Sequence, residues 1–146
     1  MWGLIALRWS RGCGWVGVVG CAQDIVLASG ASQALQYVIE ALVNPGDNII
    51  MPQPLFPLYT TIVAQLGGES RFYNLDPDAA WHCRLDEMEA QINDRTRAII
   101  VNNPSNPCGS VYGKEHLSDI LALAERKKVV VIADEIYRNM VCEHAL

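Results

Sequence analysis

The chain has 146 residues, enough for one domain. With 51% hydrophobic and 18% charged residues it has the composition of a folded globular protein, which argues against intrinsic disorder. A formal net charge of −5, with no basic run beyond Arg126-Lys127-Lys128, argues against a nucleic-acid partner, whose phosphates demand a basic face.

A small anionic ligand stays open, because backbone N–H groups bind phosphate without net positive charge. The five cysteines (Cys13, Cys21, Cys83, Cys108, Cys142) form no C-x-x-C pair. Neither a disulfide framework nor a metal site is expected, and the expected compartment is the reducing cytoplasm. Cys142-Glu143-His144 is too compact to read as a metal site by itself.

Residues 1–21 are rich in Gly and Trp, and Arg8 and Arg11 interrupt their apolar residues. No window there is long enough to span a bilayer. Val18–Cys21 resembles a lipoprotein cleavage site, but the apolar stretch before it is shorter than a signal-peptide core. The expectation is an unmatched, poorly ordered segment at 1–21, followed by one domain over 22–146.

Regular pattern begins at Ile25–Ala28, read as a short strand of the buried type. Leu35, Val38, Ile39, Leu42 and Val43 then mark one face of a helix. Asn44-Pro45-Gly46-Asp47 ends it with turn chemistry. Asn48–Met51 is a second strand. Tyr59, Ile62, Val63 and Leu66 give a second helical stripe, closed by Gly67-Gly68, and Arg71–Leu75 is a third strand. Asp76–Arg84 reads as a loop, and Asp86 as the cap of a short helix reaching Ile92. Ala98–Asn102 is a strand apolar on both faces. Lys114–Lys128 is a long helix with core residues Leu117, Ile120, Leu121 and Ala124, and Val129–Ala133 is the most apolar strand.

Strands alternating with helices predict an α/β fold with a mainly parallel sheet and helices on both faces. In such sheets ligands bind beyond the C-terminal ends of the strands. The residues following each strand are therefore the candidates. Gly30, Ala31 and Ser32 follow the first strand and open a helix, as a phosphate cradle does; the plainer alternative is capping by Ser29 or Ser32. Phe56 lies in the proline-rich stretch Pro52–Tyr59, held either over a planar ligand or in the core. Asn106 lies in "NNPSNPCG", where two Asn-Pro steps make a defined irregular loop. Asp134 and Tyr137 follow the last strand. An acid delivered there needs a cation or a donor to meet it. It could hold Mg²⁺ in a nucleotide-binding domain or pair with a protonated heteroaromatic nitrogen. The first option also needs a Walker A loop, and the chain contains none.

In order and spacing, "SGASQAL", "NPGDNIIMPQPLFPLY", "VNNPSNPCGSVY" and "ADEIY" resemble the fold type I, pyridoxal-phosphate-dependent aminotransferases of class I/II, most of all their tyrosine-type members. The resemblance runs from about Asp24 to Val141 and implies part of the large, cofactor-binding domain. It implies phosphate contacts at Gly30, Ala31 and Ser32, a stacking ring at Phe56, and phenolic-oxygen contacts at Asn106 and Tyr137. It further implies a partner for the pyridine nitrogen at Asp134, and cis prolines at Pro54 and Pro107. The implied reaction moves the amino group of tyrosine or a related amino acid to a 2-oxo acid, in a homodimer. A noncatalytic or partner-binding remnant of the fold is the alternative. The family's Schiff-base lysine and its substrate-binding arginine match nothing in this chain: Lys114, Lys127 and Lys128 do not fit the motif. No catalytic residue is therefore assigned, and the chain alone is expected to be inactive.

Overall fold

The computed structural model describes residues 3–5 and 26–141. Its centre is a five-stranded sheet. The strands are β3 (Asn48–Gln53), β4 (Glu69–Asp76), β5 (His82–Cys83), β6 (Thr96–Asn102) and β7 (Val130–Asp134), in the spatial order β5-β4-β3-β6-β7. β4, β3, β6 and β7 run parallel, and β5 is antiparallel to β4. The mainly parallel α/β sheet read from the alternating pattern is present.

Apolar runs on both faces explain why β3 and β6 are central. Ile49 and Met51 of β3, with Ala98 and Ile100 of β6, enter one core with Leu35, Val38 and Ile39 of α1 (Ala31–Leu42). Tyr59, Ile62 and Val63 of α2 (Leu58–Gln65) complete it. The intervening residues Ile50, Ile99 and Val101 point the other way. They pack on Met88 of α3 (Leu85–Gln91) and on Ile120, Leu123 and Ala124 of α4 (Lys114–Lys127). This period-two sorting puts α1 and α2 on one face and α3 and α4 on the other.

Several expectations need correction. The strand at Ile25–Ala28 forms as β2 (Val26–Ala28), but it pairs antiparallel with β1 (Gly3–Ile5) and stands outside the main sheet. Val26 and Leu27 are consequently 61% and 72% exposed rather than buried. The Asp76–Arg84 loop contains a 3-10 turn (Pro77–Ala79) and the two-residue β5, too short for any periodicity to reveal. Arg84, not Asp86, is the cap residue of α3, and Asp86 instead holds the Arg84 guanidinium at 2.7 Å. In α4, Leu123 is buried where Leu121 was expected. Cys142-Glu143-His144 and most of residues 1–21 lie outside the described residues.

The rim where the parallel strands begin is closed by a polar knot. The Thr96 hydroxyl donates to Asn48 Oδ1 at 2.7 Å, and Asn48 Nδ2 donates to Asn93 Oδ1 at 2.9 Å. Beside them Asp47, nearly buried, accepts from Arg97 at 2.9 Å and from the Asn44 N–H. The Arg97 hydrogen bond holds the Asp47 carboxyl at about 2, below the usual carboxylate range.

Two predictions follow from this packing. A Cβ at Gly68 would stand 2.9 Å from Val43 Cγ1, 3.0 Å from Val63 Cγ1 and 3.2 Å from the Val63 carbonyl oxygen. Gly68→Ala should therefore destabilise the fold by ~1–3 kcal/mol in urea unfolding, as overpacking does. Because the folded carboxyl of Asp47 is depressed, its stabilising contribution is present above about pH 4 and lost as pH falls toward about 2. Arg97→Gln should accordingly be less stable than the unsubstituted chain at pH 7, with the gap shrinking over that acid range in pH-dependent unfolding curves.

Candidate active site

Because β3, β6 and β7 run parallel, Gln53, Asn102 and Asp134 all end at one rim, and Asn102 lies directly beside Asp134 in register. Asp134 falls on the same alternation as Ile132, so its side chain takes the α1–α2 face. It is 5% exposed. The Tyr59 hydroxyl donates to its Oδ2 at 2.6 Å, and the Ile136 N–H donates to its Oδ1 at 3.2 Å. Among the described residues no Lys, Arg or His side chain forms an ion pair with it. Tyr59 is fully buried, and that burial, reinforced by the adjacent Asp134 charge, raises its hydroxyl well above the usual phenol range.

Phe56 precedes α2 by two residues. Its half-buried ring meets Tyr59 edge-on, with centroids 5.9 Å apart and planes at 88°. The three prolines Pro54, Pro104 and Pro107 all follow cis peptide bonds; two of these were expected, and Pro104 is an addition.

Asn102 ties the loop after β6 to β7. Its Nδ2 donates to the Asp134 carbonyl oxygen at 3.1 Å, and its Oδ1 accepts from the Asn106 N–H at 2.6 Å. Asn103 Oδ1 accepts from the Tyr112 N–H at 2.8 Å, closing the other side of the loop. Asn106 and Tyr137 line one open cavity of ≈ 400 Å³ with Pro104, Pro107, Val111 and Met140. A connected series thus runs from Phe56 through Tyr59, Asp134 and Asn102 to Asn106, with Tyr137 across the cavity.

Gly30, Ala31 and Ser32 stand apart from that series: no hydrogen bond joins them to Asp134 among the described residues. Gly30 is the N-cap of α1, with φ 88° and ψ 170°, and no side chain caps the helix. The capping by Ser29 or Ser32 is therefore absent; Gln33 instead turns back to accept the Ser29 N–H at 2.7 Å. Among the described residues no side chain accepts from the first-turn N–H groups, which suits them to an outside acceptor. A Cβ built on Gly30 meets nothing within 4 Å, so glycine here serves the backbone conformation, which other residues rarely adopt.

The profile of the family described as aminotransferase class I and II matches residues 18–145. The chain belongs to the class I and II aminotransferases. This membership displaces the nucleotide-binding alternative, and the family is pyridoxal-phosphate-dependent. The chain is 49% identical over 120 residues to the tyrosine aminotransferase of Mus musculus, covering 82% of this chain and 26% of that protein. It is 36% identical over 131 residues to the glutamate-pyruvate aminotransferase AlaA of Haemophilus influenzae, covering 89% and 32%. The crystal structure of tyrosine aminotransferase from Leishmania infantum superposes with a TM-score of 0.77 at 40% identity, over 80% of this chain and 31% of that one. The chain thus spans about a quarter to a third of the length of these aminotransferases.

Two site residues escaped sequence reasoning. Tyr59 read only as part of a helical stripe, and Asn102 only as the end of a strand. For Asn102 a signal existed: an amide at the buried end of an apolar strand must find partners. Asn102→Ala should cost ~1–3 kcal/mol in urea unfolding, because it strands a backbone N–H and removes a tie to β7. Asn106→Ala, whose side chain makes no such tie, should change stability by less than ~0.5 kcal/mol.

Proposed function

We propose that this chain forms the pyridoxal-phosphate-holding part of an aminotransferase that moves the amino group of tyrosine, or a related amino acid, to a 2-oxo acid. The observation that carries it is Asp134: a buried carboxylate held by two neutral donors and, among the described residues, by no cationic side chain. Burying an unpaired charge is costly. A protonated ring nitrogen at the open rim would supply the missing cation. The identity to a tyrosine aminotransferase supports the aromatic substrate, and the likeness to an alanine-type enzyme keeps related amino acids within it.

The residues fit the cofactor. The uncapped N-terminus of α1 at Gly30, Ala31 and Ser32 offers N–H donors and the positive end of a helix dipole to a phosphate. The five-residue link from α1 to β3 and the core they share support placing that N-terminus toward the rim where β3 ends. Phe56 would cover one face of a planar ring. Asn106 and Tyr137, facing one cavity, would donate to an anionic ring oxygen. When bound, the cofactor supplies a ring that accepts the electron pair left as the amino acid's α-proton departs. Asp134 would keep the ring nitrogen protonated while that happens.

All three lysines of the chain lie in or just after α4, on the face opposite Asp134. Lys127 is engaged with Glu89 at 2.8 Å. This supports noncovalent cofactor binding by the chain alone, with no proton shuttle. In the complete enzyme the same sites would serve a homodimer.

Titrating the 146-residue chain with pyridoxal phosphate should give a saturable change in cofactor absorbance that borohydride does not fix to the protein; ATP with Mg²⁺ should not compete. The same sample should form no keto acid from tyrosine and 2-oxoglutarate. Absent saturation, or competition by ATP, would refute the assignment.

A further inference from the structure

Tyr59 has a role that its position in the core does not require. A tyrosine used only for packing could be replaced by phenylalanine, and a buried hydroxyl must be satisfied to be tolerated. Here the hydroxyl is satisfied by the carboxylate of Asp134 at 2.6 Å, and it comes from a different element, α2 on the sheet face rather than the β7 end itself. The second donor, the Ile136 N–H at 3.2 Å, is local to the turn that Asp134 opens. The turn alone fixes one oxygen and leaves the carboxylate able to rotate about that contact. The Tyr59 hydroxyl fixes the other oxygen, so the pair holds the carboxylate plane.

The same ring is met edge-on by Phe56, three residues earlier. One side chain therefore touches both the acid proposed to face the ring nitrogen and the aromatic proposed to cover the ring. Its backbone is anchored as well, since the Tyr59 N–H donates to the Phe56 carbonyl oxygen at 3.3 Å. Burial, then Asp134, then Tyr137 all push the hydroxyl toward its protonated form, so it remains a donor at any physiological pH. A hydroxyl donating to a carboxylate makes a charge-assisted bond, the stronger kind.

We infer that Tyr59 is a positioning residue for the cofactor: through its hydroxyl it sets the orientation of the Asp134 carboxylate toward the ring nitrogen. This rests on the cofactor reading of Asp134 proposed above, and it adds a residue that touches neither substrate nor cofactor. A carboxylate free to swing would spend part of its time turned from the ring and would hold the nitrogen's proton less firmly.

The test is the pH at which the ring nitrogen of bound pyridoxal phosphate loses its proton. It is followed by ¹⁵N NMR on the 146-residue chain loaded with ring-¹⁵N cofactor, alongside circular-dichroism melting of every variant. Asp134→Asn should lower that midpoint most. Tyr59→Phe should lower it by about one pH unit, consistent with loss of one charge-assisted bond. Tyr59→His, which keeps a ring and an N–H donor, should bring it part of the way back. If Asp134→Asn leaves the midpoint unmoved, the cofactor reading of Asp134 fails. If Asp134→Asn lowers it while Tyr59→Phe leaves it unchanged or raises it, only the positioning role of Tyr59 is overturned. Should the phenylalanine variant not fold, a Tyr59→His midpoint below that of the unsubstituted chain supports the role, and one equal to the unsubstituted chain's overturns it.

Discussion

The constraint on which the rest depends is that β3 and β6 are buried on both faces. Ile49, Ile50, Met51, Ile99 and Ile100 have no exposed surface, so neither strand can slip or turn over without moving an apolar set into the wrong core. A parallel sheet pinned in this way has two chemically different rims. β3, β4, β6 and β7 enter at one and leave at the other, with helices α2, α3 and α4 on the connections between them and only the short β5 running the opposite way.

The buried polar residues sort themselves by rim. Asp47, Asn48 and Thr96 sit where the strands begin and satisfy one another or Arg97, so that end is closed and stabilising. Asn102, Ser105 and Asp134 sit where the strands leave. There the hydrogen bonds hold loops rather than close a knot, and the one acid meets no cationic side chain among the described residues. The contrast between a carboxylate paired with Arg97 and one paired with a tyrosine hydroxyl is a contrast of purpose. Asp47 is paired with an arginine within the fold; among the described residues Asp134 is oriented but meets no cationic side chain.

Local pattern made much of this legible. Apolar runs mark β3, β6 and β7, helical stripes mark α1, α2 and α4, and the rim rule points to Phe56, Asn106, Asp134 and Tyr137. What stayed hidden depends on distant pairing. Val26–Ala28 has the same apolar texture as the core strands, yet among the described residues it pairs with β1 and not with the main sheet, and texture cannot say which neighbour a strand finds. β5 is set by its pairing to β4, not by periodicity. The hydroxyl of Tyr59 meets a carboxylate 75 residues away, and Asn102 reaches a carbonyl 32 residues away. A helical stripe predicts that Tyr59 is buried, but burial alone does not reveal the partner of its oxygen.

This gives a physical reason why the rim can combine rigidity with openness. Three of the residues that would face a ligand are secured from behind by a group the ligand does not touch: Phe56 and Asp134 by Tyr59, and Asn106, through its backbone, by Asn102. Those supports are buried and come from the sheet and its helices, whereas the ligand-facing groups lie at the end of β7 or on the segments that leave the sheet. Orientation is therefore fixed by the packed core, while the cavity between Asn106 and Tyr137 stays open to solvent. Such preorganisation costs nothing at the moment of binding, because the supporting hydrogen bonds are already made in the folded chain.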